Sequence, residues 1–265
     1  MRSCFRPDVL EGQVVWVTGG GSGIGAGIAE RLAAHGAEVV LTGRRPDPLT
    51  AVAERIVEAG GRARVEPADV RDAAALAEVA VRIEAACGRL DGLVAGAAGN
   101  FLCPAVQLSP NGFGTVIDID LKGTFNTCKA AFPLLSRHGG SIVTISATLQ
   151  YTGTPLQVHA SSAKAGVDAL TRGLAVEWGP AGIRVNGVAP GPIADTPGMA
   201  KLAPGDALDR VTRAIPLQRL GTVDDVADAV LFLVSPASSW VSGAVLVVDG
   251  AQWLATSGLA TMFGG

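Results

Sequence analysis

The segment Thr18-Gly19-Gly20-Gly21-Ser22-Gly23-Ile24-Gly25 follows the apolar run Val14-Val15-Trp16-Val17 and leads into Ile24, Ile28 and Leu32 at helical spacing. A run of that length reads as a buried strand, and the spaced residues mark the inner face of a helix. The glycines between them allow a sharp turn and a close approach of backbone to a bound group. A helix beginning there offers free N–H groups and the positive end of its dipole, which suits a pyrophosphate. Strand, turn and helix together imply a parallel α/β sheet that holds a dinucleotide at its edge. A glycine-rich βα turn without a ligand is the plainer alternative.

The rest of the chain repeats this rhythm. Strand candidates lie at 14–18, 38–42, 63–67, 93–96, 141–146, 183–189 and 244–248. They read as nearly continuous apolar runs, as parallel strands covered on both faces do. Helical patterns fill 23–35, 48–60, 72–87, 111–137, 158–178 and 223–234. The expectation is a doubly wound parallel sheet, a Rossmann fold of seven strands, in one domain over 1–265. With 265 residues, 48% of them hydrophobic, the chain can bury a core of that size. The stretch 190–216, rich in proline and glycine, reads as an irregular lid over a site.

Charge and cysteine usage exclude several roles. A net charge of -3 without a basic stripe argues against a nucleic-acid partner. Cys4, Cys87, Cys103 and Cys128 are scattered, with no histidine at ligand spacing, so no metal site and no disulfide framework is expected. No apolar segment reaches the roughly 18 residues needed to span a bilayer. Neither a signal-like start nor a Ser-Lys-Leu-type end is present, and the expectation is a cytoplasmic protein with no membrane partner.

The second strand ends in Leu41-Thr42-Gly43-Arg44-Arg45. About 20 residues beyond such a turn, an acid selects the ribose hydroxyl of NAD, whereas an arginine accommodates the extra phosphate of NADP. Arg44 and Arg45 therefore point to NADP(H), because a guanidinium matches phosphate in charge and in forked geometry. One of the two is also readable as a plain loop residue. Asp69, at the end of the third strand, stands where such folds contact the adenine.

The Thr-Gly-x-x-x-Gly-Ile-Gly turn, Asp69-Val70, Ala97-Ala98-Gly99, Pro190-Gly191-Pro192-Ile193 and Val248-Asp249-Gly250 resemble the short-chain dehydrogenase/reductase family over nearly the whole chain. The resemblance implies cofactor contacts from Gly19, Gly21, Ser22, Gly23 and Ile24. It adds Arg44, Arg45, Asp69, Val70 and Ala97, then Lys164, and finally Pro190, Gly191, Ile193 and Thr196. Most members carry a serine and a Tyr-x-x-x-Lys pair. Lys164 fits the lysine, but Ala160 stands one helical turn earlier where the tyrosine belongs. Ala147 holds the usual serine place, with Ser146 beside it, and Asp120 replaces an assisting asparagine. Alanine has no proton to give, so ordinary carbonyl reduction loses its general acid.

These departures are similar to one branch, the peroxisomal-type 2,4-dienoyl-CoA reductases. The segments 97–105, 118–120, 123–126, 157–160 and 174–180 carry the likeness. The resemblance implies catalytic roles for Asp120 and Lys164, which would position a proton-giving water, and NADPH as reductant. It also implies contacts to an acyl-CoA thioester from Arg71, Phe101, Ser109, Asn111 and Lys201. Tyr151 is either a substrate contact or a loop aromatic. His35, His138 and His159 have no triad partner by spacing, and His159, next to Ala160, stays open. Two rival readings remain: a reductase of another acyl thioester, and a cofactor-binding module that has lost catalysis. A homotetramer, with the segment 251–262 and its Trp253 at an interface, is expected by analogy alone.

Overall fold

The computed structural model describes residues 4–196, 198 and 207–255. Seven strands form one parallel sheet in the order β3-β2-β1-β4-β5-β6-β7. They are β1 (Val14–Thr18), β2 (Glu38–Thr42), β3 (Arg62–Val65), β4 (Gly92–Ala95), β5 (Gly140–Ile145), β6 (Ile183–Pro190) and β7 (Val245–Val248). The described helices are α1 (Gly23–Ala33), α2 (Pro46–Glu58), α3 (Ala73–Cys87), α4 (Pro110–Val116), α5 (Gly123–Leu135), α6 (Val158–Trp178), α7 (Ala207–Ala214), α8 (Val223–Val234) and α9 (Gln252–Ala255).

All five residues of β1 are buried, because helices cover the sheet on both sides. On one face Val15, Val17, Val39 and Leu41 meet Ile28 and Leu32 of α1, Leu49 and Val52 of α2, and Val230 of α8. On the other face Trp16, Val40 and Leu93 meet Leu76 and Val79 of α3 and Leu135 of α5. Each such aliphatic side chain contributes about 1.5–3 kcal/mol on burial. Trp16 is tolerated in the centre because its indole N–H donates to Thr42 Oγ1 at 2.8 Å.

The chain winds outward from β1 to β3, then returns to place β4 on the opposite side of β1. The connections leaving β1 and β4 diverge there, and a crevice opens at their carboxyl ends.

The expected pattern needs three corrections. First, β3 is not an apolar run: it reads Arg62-Ala63-Arg64-Val65 and lies at the sheet edge. Arg64 pairs with Glu38 of the neighbouring strand, and charge on an edge discourages pairing with another chain. Second, the single helix expected over 111–137 is three pieces. Between α4 and α5 the chain widens into a π-helical turn at Ile117–Lys122, closed by Gly123 N–H donating to Asp118 O. Third, the stretch 190–216 is not irregular throughout, since Ala207–Ala214 forms α7 with Asp209 in its first turn and Arg213 in its last. Those charges complement the helix dipole. Trp253, in the segment expected at an interface, packs against Tyr151 with ring centroids 5.3 Å apart. Residues 256–262 of the expected interface segment, and Lys201, lie outside the described residues.

No helix among the described residues is long and apolar enough to cross a membrane. Among the same residues no three His, Cys, Asp or Glu side chains gather as a metal site would need.

Candidate active site

The glycine turn is pinned at its base by Gly19 N–H donating to Thr42 O at 2.8 Å. Gly19 has a φ of +74°, and a Cβ there would stand 2.7 Å from Gly96 O. A Cβ on Gly25 would stand 2.2 Å from Gly19 O. Both positions need glycine, the first for its backbone angle and the second for the close approach of α1 to the turn. Ser22 caps α1 in extended conformation, yet its side chain bonds none of the first helical N–H groups. Those donors stay available to an anion.

Gly19, Gly21 and Ser22 form one wall of a cleft of about 140 Å³. Arg44 and Arg45 line it from the end of β2, and Asp69, Val70 and Ala97 close the far side. Both arginines are exposed. Their side chains carry no hydrogen bond or ion pair to any other described residue. Free helix N–H groups for a diphosphate, with two uncommitted guanidinium groups for a further phosphate, fit NADP(H) well. The Ile24 side chain is partly buried against the core, in the first turn of α1. Gly23 opens α1 at a φ of +52°.

Asp69 is held by Arg71, whose guanidinium reaches both carboxylate oxygens, at 3.0 and 3.1 Å through Nε and 2.5 Å through Nη2. The side-chain bond from Arg71 keeps the Asp69 carboxyl below the usual range. Arg71, expected at the substrate, is thus paired with a residue of the cofactor cleft. Its Coulombic neighbour Asp118 lies on the π-helical turn.

Pro190, Gly191, Ile193 and Thr196 follow β6 at the same carboxyl edge of the sheet. Gly191 N–H donates to Val248 O, and Thr196 Oγ1 donates to Ile193 O at 3.0 Å. Ile193 is buried and forms a bridge to Gly221.

The catalytic candidates come together across the π-helical turn. Such turns add a residue to the helix and redirect side chains, and they recur at functional sites. Asp120 is 1% exposed and Lys164, on α6, is 6% exposed. Their charged ends are 3.4 Å apart. Asp120 Oδ1 accepts Gly99 N–H at 2.7 Å, and Lys164 Nζ donates to Ile145 O at 2.8 Å. The pair therefore ties the end of β4 to the end of β5. Burial pushes the Asp120 carboxyl above the ordinary carboxylate range, although Lys164 and the Gly99 N–H pull it back. Its carboxyl holds a proton to higher pH than a free aspartate would.

Ala160 is 2% exposed and packs with Val116, Ala163, Ile117, Leu121 and Leu149. The place of a tyrosine is thus filled by an apolar patch. Ser146 is committed inside the fold, donating to Lys164 O at 3.5 Å and accepting from Gln150 at 3.1 Å. Phe101 is 39% exposed at the mouth of the loop after β4. Ser109 caps α4 by accepting Gly112 N–H at 3.0 Å, and Asn111 is exposed in the first turn of that helix.

Sequence reasoning missed Asp168. It is buried on α6, four residues after Lys164, and accepts the Tyr151 hydroxyl at 2.8 Å and the Gln150 amide. Burial and the Asp168 carboxylate both push the Tyr151 hydroxyl well above its ordinary range, so it holds its proton more tightly than a free tyrosine. The signal available was spacing: Ala160, Lys164 and Asp168 repeat at i, i+4, i+8 on one helical face.

A family model described as enoyl-(acyl carrier protein) reductase matches residues 19–251. The chain is 50% identical over 256 residues to a peroxisomal 2,4-dienoyl-CoA reductase [(3E)-enoyl-CoA-producing] of Danio rerio, covering 96% of this chain and 85% of that one. It is 47% identical over 264 residues to the enzyme of the same name from Arabidopsis thaliana, covering 96% and 89%. Among solved structures it is similar to a citronellol catabolism dehydrogenase of Pseudomonas aeruginosa PAO1, with a TM-score of 0.85 at 40% identity over 95% of this chain and 99% of that one. Levodione reductase superposes with a TM-score of 0.88 at 32% identity, over 93% and 99%. The cytoplasmic expectation is corrected by these relatives, which are peroxisomal enzymes. Free cysteines, and the lack of a helix among the described residues that could cross a membrane, do not distinguish one compartment from another. The chain belongs to the short-chain dehydrogenase/reductase family.

Proposed function

We propose that this protein is an NADPH-dependent oxidoreductase that reduces 2,4-dienoyl-CoA to 3-enoyl-CoA. The carrying observation is the buried Asp120–Lys164 pair beside an apolar Ala160 patch. A site without a tyrosine suits a reaction whose proton goes to carbon, and the relatives at 47–50% identity bear that activity in their names.

NADPH, when bound, supplies the hydride. Gly21, Ser22 and Gly23 would bind its diphosphate through backbone N–H groups, with Gly19 shaping the turn; Arg44 and Arg45 would hold its extra phosphate, and Asp69 and Val70 its adenine end. Ala97 and the segment Pro190, Gly191, Ile193 and Thr196 flank the nicotinamide half. Lys164 orients the ribose and keeps positive charge near the thioester. Asp120 and Lys164 together orient a water. That water gives a proton to the carbon next to the thioester and recovers one from the Asp120 carboxyl, which burial keeps protonated above the usual range. Phe101, Ser109, Asn111, Arg71 and Lys201 contact the acyl-CoA. Within the segment 190–216, the described helix α7 would cover the substrate.

The wider reading is a homotetramer acting in unsaturated fatty-acid degradation. The homotetramer rests on family analogy, and the exposed Trp240 and Val176 are candidate contact positions for it. Light scattering of the purified protein tests it.

The deciding experiment follows NADPH oxidation with 2,4-hexadienoyl-CoA and 2,4-decadienoyl-CoA. Turnover of these without turnover of 3-oxoacyl-CoA is expected, and no turnover of any dienoyl-CoA overturns the reading. The description of the matching family favours one rival, reduction of a single double bond on a carrier-linked thioester. Preferential turnover of such a substrate would establish that rival.

A further inference from the structure

We propose that His159 is a catalytic residue that donates a hydrogen bond to the thioester oxygen as negative charge develops there. The inference rests on the dienoyl-CoA reading. Hydride delivered to the far end of the diene pushes an electron pair through the conjugated bonds onto that oxygen. A donor aimed at the developing charge carries much of the rate in such reactions. The usual hydroxyls are gone, since Ala147 and Ala160 occupy their places.

Other donors near the start of α6 are committed to partners inside the fold. Tyr151 Oη donates to Asp168, and Ser146 Oγ donates to Lys164 O. Asn100 Nδ2 donates to Gln157 Oε1 at 2.5 Å. Ser161 Oγ donates to Leu149 O at 3.3 Å, and Thr148 Oγ1 donates to Pro190 O at 3.4 Å. Lys164 Nζ is directed to Ile145 O and Asp120.

His159 is the exception. It is 0% exposed, and neither Nδ1 nor Nε2 has a hydrogen-bond partner among the described residues. Burying a polar ring in that state costs stability, and a structural histidine would have its nitrogens satisfied. A substrate oxygen would remove the cost.

Its placement agrees with the role. The ring stacks on Phe101, with centroids 4.4 Å apart and planes inclined by 28°. Phe101 belongs to a loop fixed at both ends of the site: Gly99 N–H donates to Asp120, and Cys103 N–H donates to Leu156 O at 2.9 Å. His159 therefore has a set orientation before any substrate arrives. The ring also lies within electrostatic reach of Asp120.

In the proposed step the imidazole keeps its proton and only shares it with the oxygen. Hydride adds at the far carbon and the electron pair moves to the thioester oxygen. The pair then returns to form a bond between the carbon beside the thioester and a proton from the water. That water's proton is replaced from Asp120, which solvent reprotonates. One hydride and one proton convert the dienoyl thioester into the 3-enoyl thioester.

The test compares His159→Leu, which cannot donate, with His159→Gln, which can. For His159→Leu, kcat with 2,4-hexadienoyl-CoA should fall about 10²-fold. NADPH affinity should be unchanged, and the melting temperature unchanged or raised, because an unsatisfied buried group has been removed. His159→Gln should recover a large part of the rate. Near-native kcat in His159→Leu overturns the proposal, as does a Gln variant no faster than the Leu variant. A fall in melting temperature and NADPH affinity that parallels the loss of rate shows a structural role and also overturns it. Binding of saturated hexanoyl-CoA in the presence of NADP+ reads the same contact without turnover: it should weaken in His159→Leu and recover in His159→Gln. If the native enzyme reduces no dienoyl-CoA, the proposed function fails, and this affinity pair still decides the role of His159.

Discussion

On the cofactor side of the crevice, Arg44 and Arg45 stand exposed with no hydrogen bond or ion pair among the described residues, and Arg71, helped by the charge of Arg44, keeps the Asp69 carboxyl below its usual range. On the opposite side, Asp120 and Lys164 are buried and face each other, and the Asp120 carboxyl is pushed toward its neutral form. The first arrangement works as a set of several weak contacts, because water screens each charge. The second concentrates its effect in two groups, because charges in a dry interior act strongly. In the proposed function, binding is shared among many residues on one side, and proton handling is confined to a few on the other.

Removing Asp120 is the strongest way to break this contrast. Asp120→Ala should lower kcat with a dienoyl-CoA by about 10²–10⁴-fold, the usual weight of a proton-transfer group. NADPH affinity should change little by comparison. Equal losses in both, measured by steady-state kinetics and fluorescence titration, would make Asp120 a structural residue. Asp120→Asn sharpens the result, since its amide oxygen can still accept the Gly99 N–H. It should keep the loop anchored and still lose the rate.

Gly25→Ala attacks the cofactor side through shape rather than charge. The added Cβ meets the Gly19 carbonyl, a backbone atom that cannot swing aside. Overpacking of that kind costs about 1–3 kcal/mol. A lower melting temperature and weaker NADPH binding are expected. Undiminished NADPH affinity would show that the turn does not hold the diphosphate.

Replacing Arg44 and Arg45 together by alanine should come next. A charge-assisted bond contributes about 1.5–3 kcal/mol, so preference for NADPH over NADH should fall by roughly tenfold or more. Parallel titrations with both cofactors check it, and an unchanged ratio would contradict the phosphate assignment.

The smallest effect lies behind the cofactor side, where α8 backs α1. Thr222 and Asp225 close a capping box at the start of α8. The Arg219 side chain holds the Asp225 carboxyl well below the usual range. The folded value is below the unfolded one, so this contribution is present at neutral pH and disappears as the pH falls below about 4. Asp225→Asn should cost about 1 kcal/mol at pH 7 by denaturant unfolding, and the difference should shrink in acid. Asp120 has the opposite sign: its folded value is raised, so its ionisation detracts from stability as the pH rises. A capping-box difference that persists in acid would argue against this assignment.

How much could be read from the chain alone depends on how local each signal is. The glycine turn, β1 and α1 are contiguous, and α6 and α8 span 158–178 and 223–234 as the pattern of apolar residues predicts. The arginines at the end of β2 follow the turn at a fixed interval. The break at Ile117–Lys122 gave no such sign, because the apolar residues of 111–137 continue across it and the extra residue is a matter of packing against α6. The helix inside 190–216 was hidden by the proline and glycine around it. Arg71 was expected at the substrate from resemblance, and only the folded chain sets it against Asp69.

Family, fold and cofactor class were settled by sequence, because backbone turns and helix faces are written in neighbouring residues. The absence of a tyrosine at Ala160 was equally plain. What the tertiary structure decided is how the remaining groups share protons and hydrogen bonds. Asp120 and Lys164 meet from different helices, Asp168 takes up the Tyr151 hydroxyl, and His159 is left with neither nitrogen satisfied. Burial and partnership are properties of space rather than of order along the chain, and they set the chemistry of these side chains.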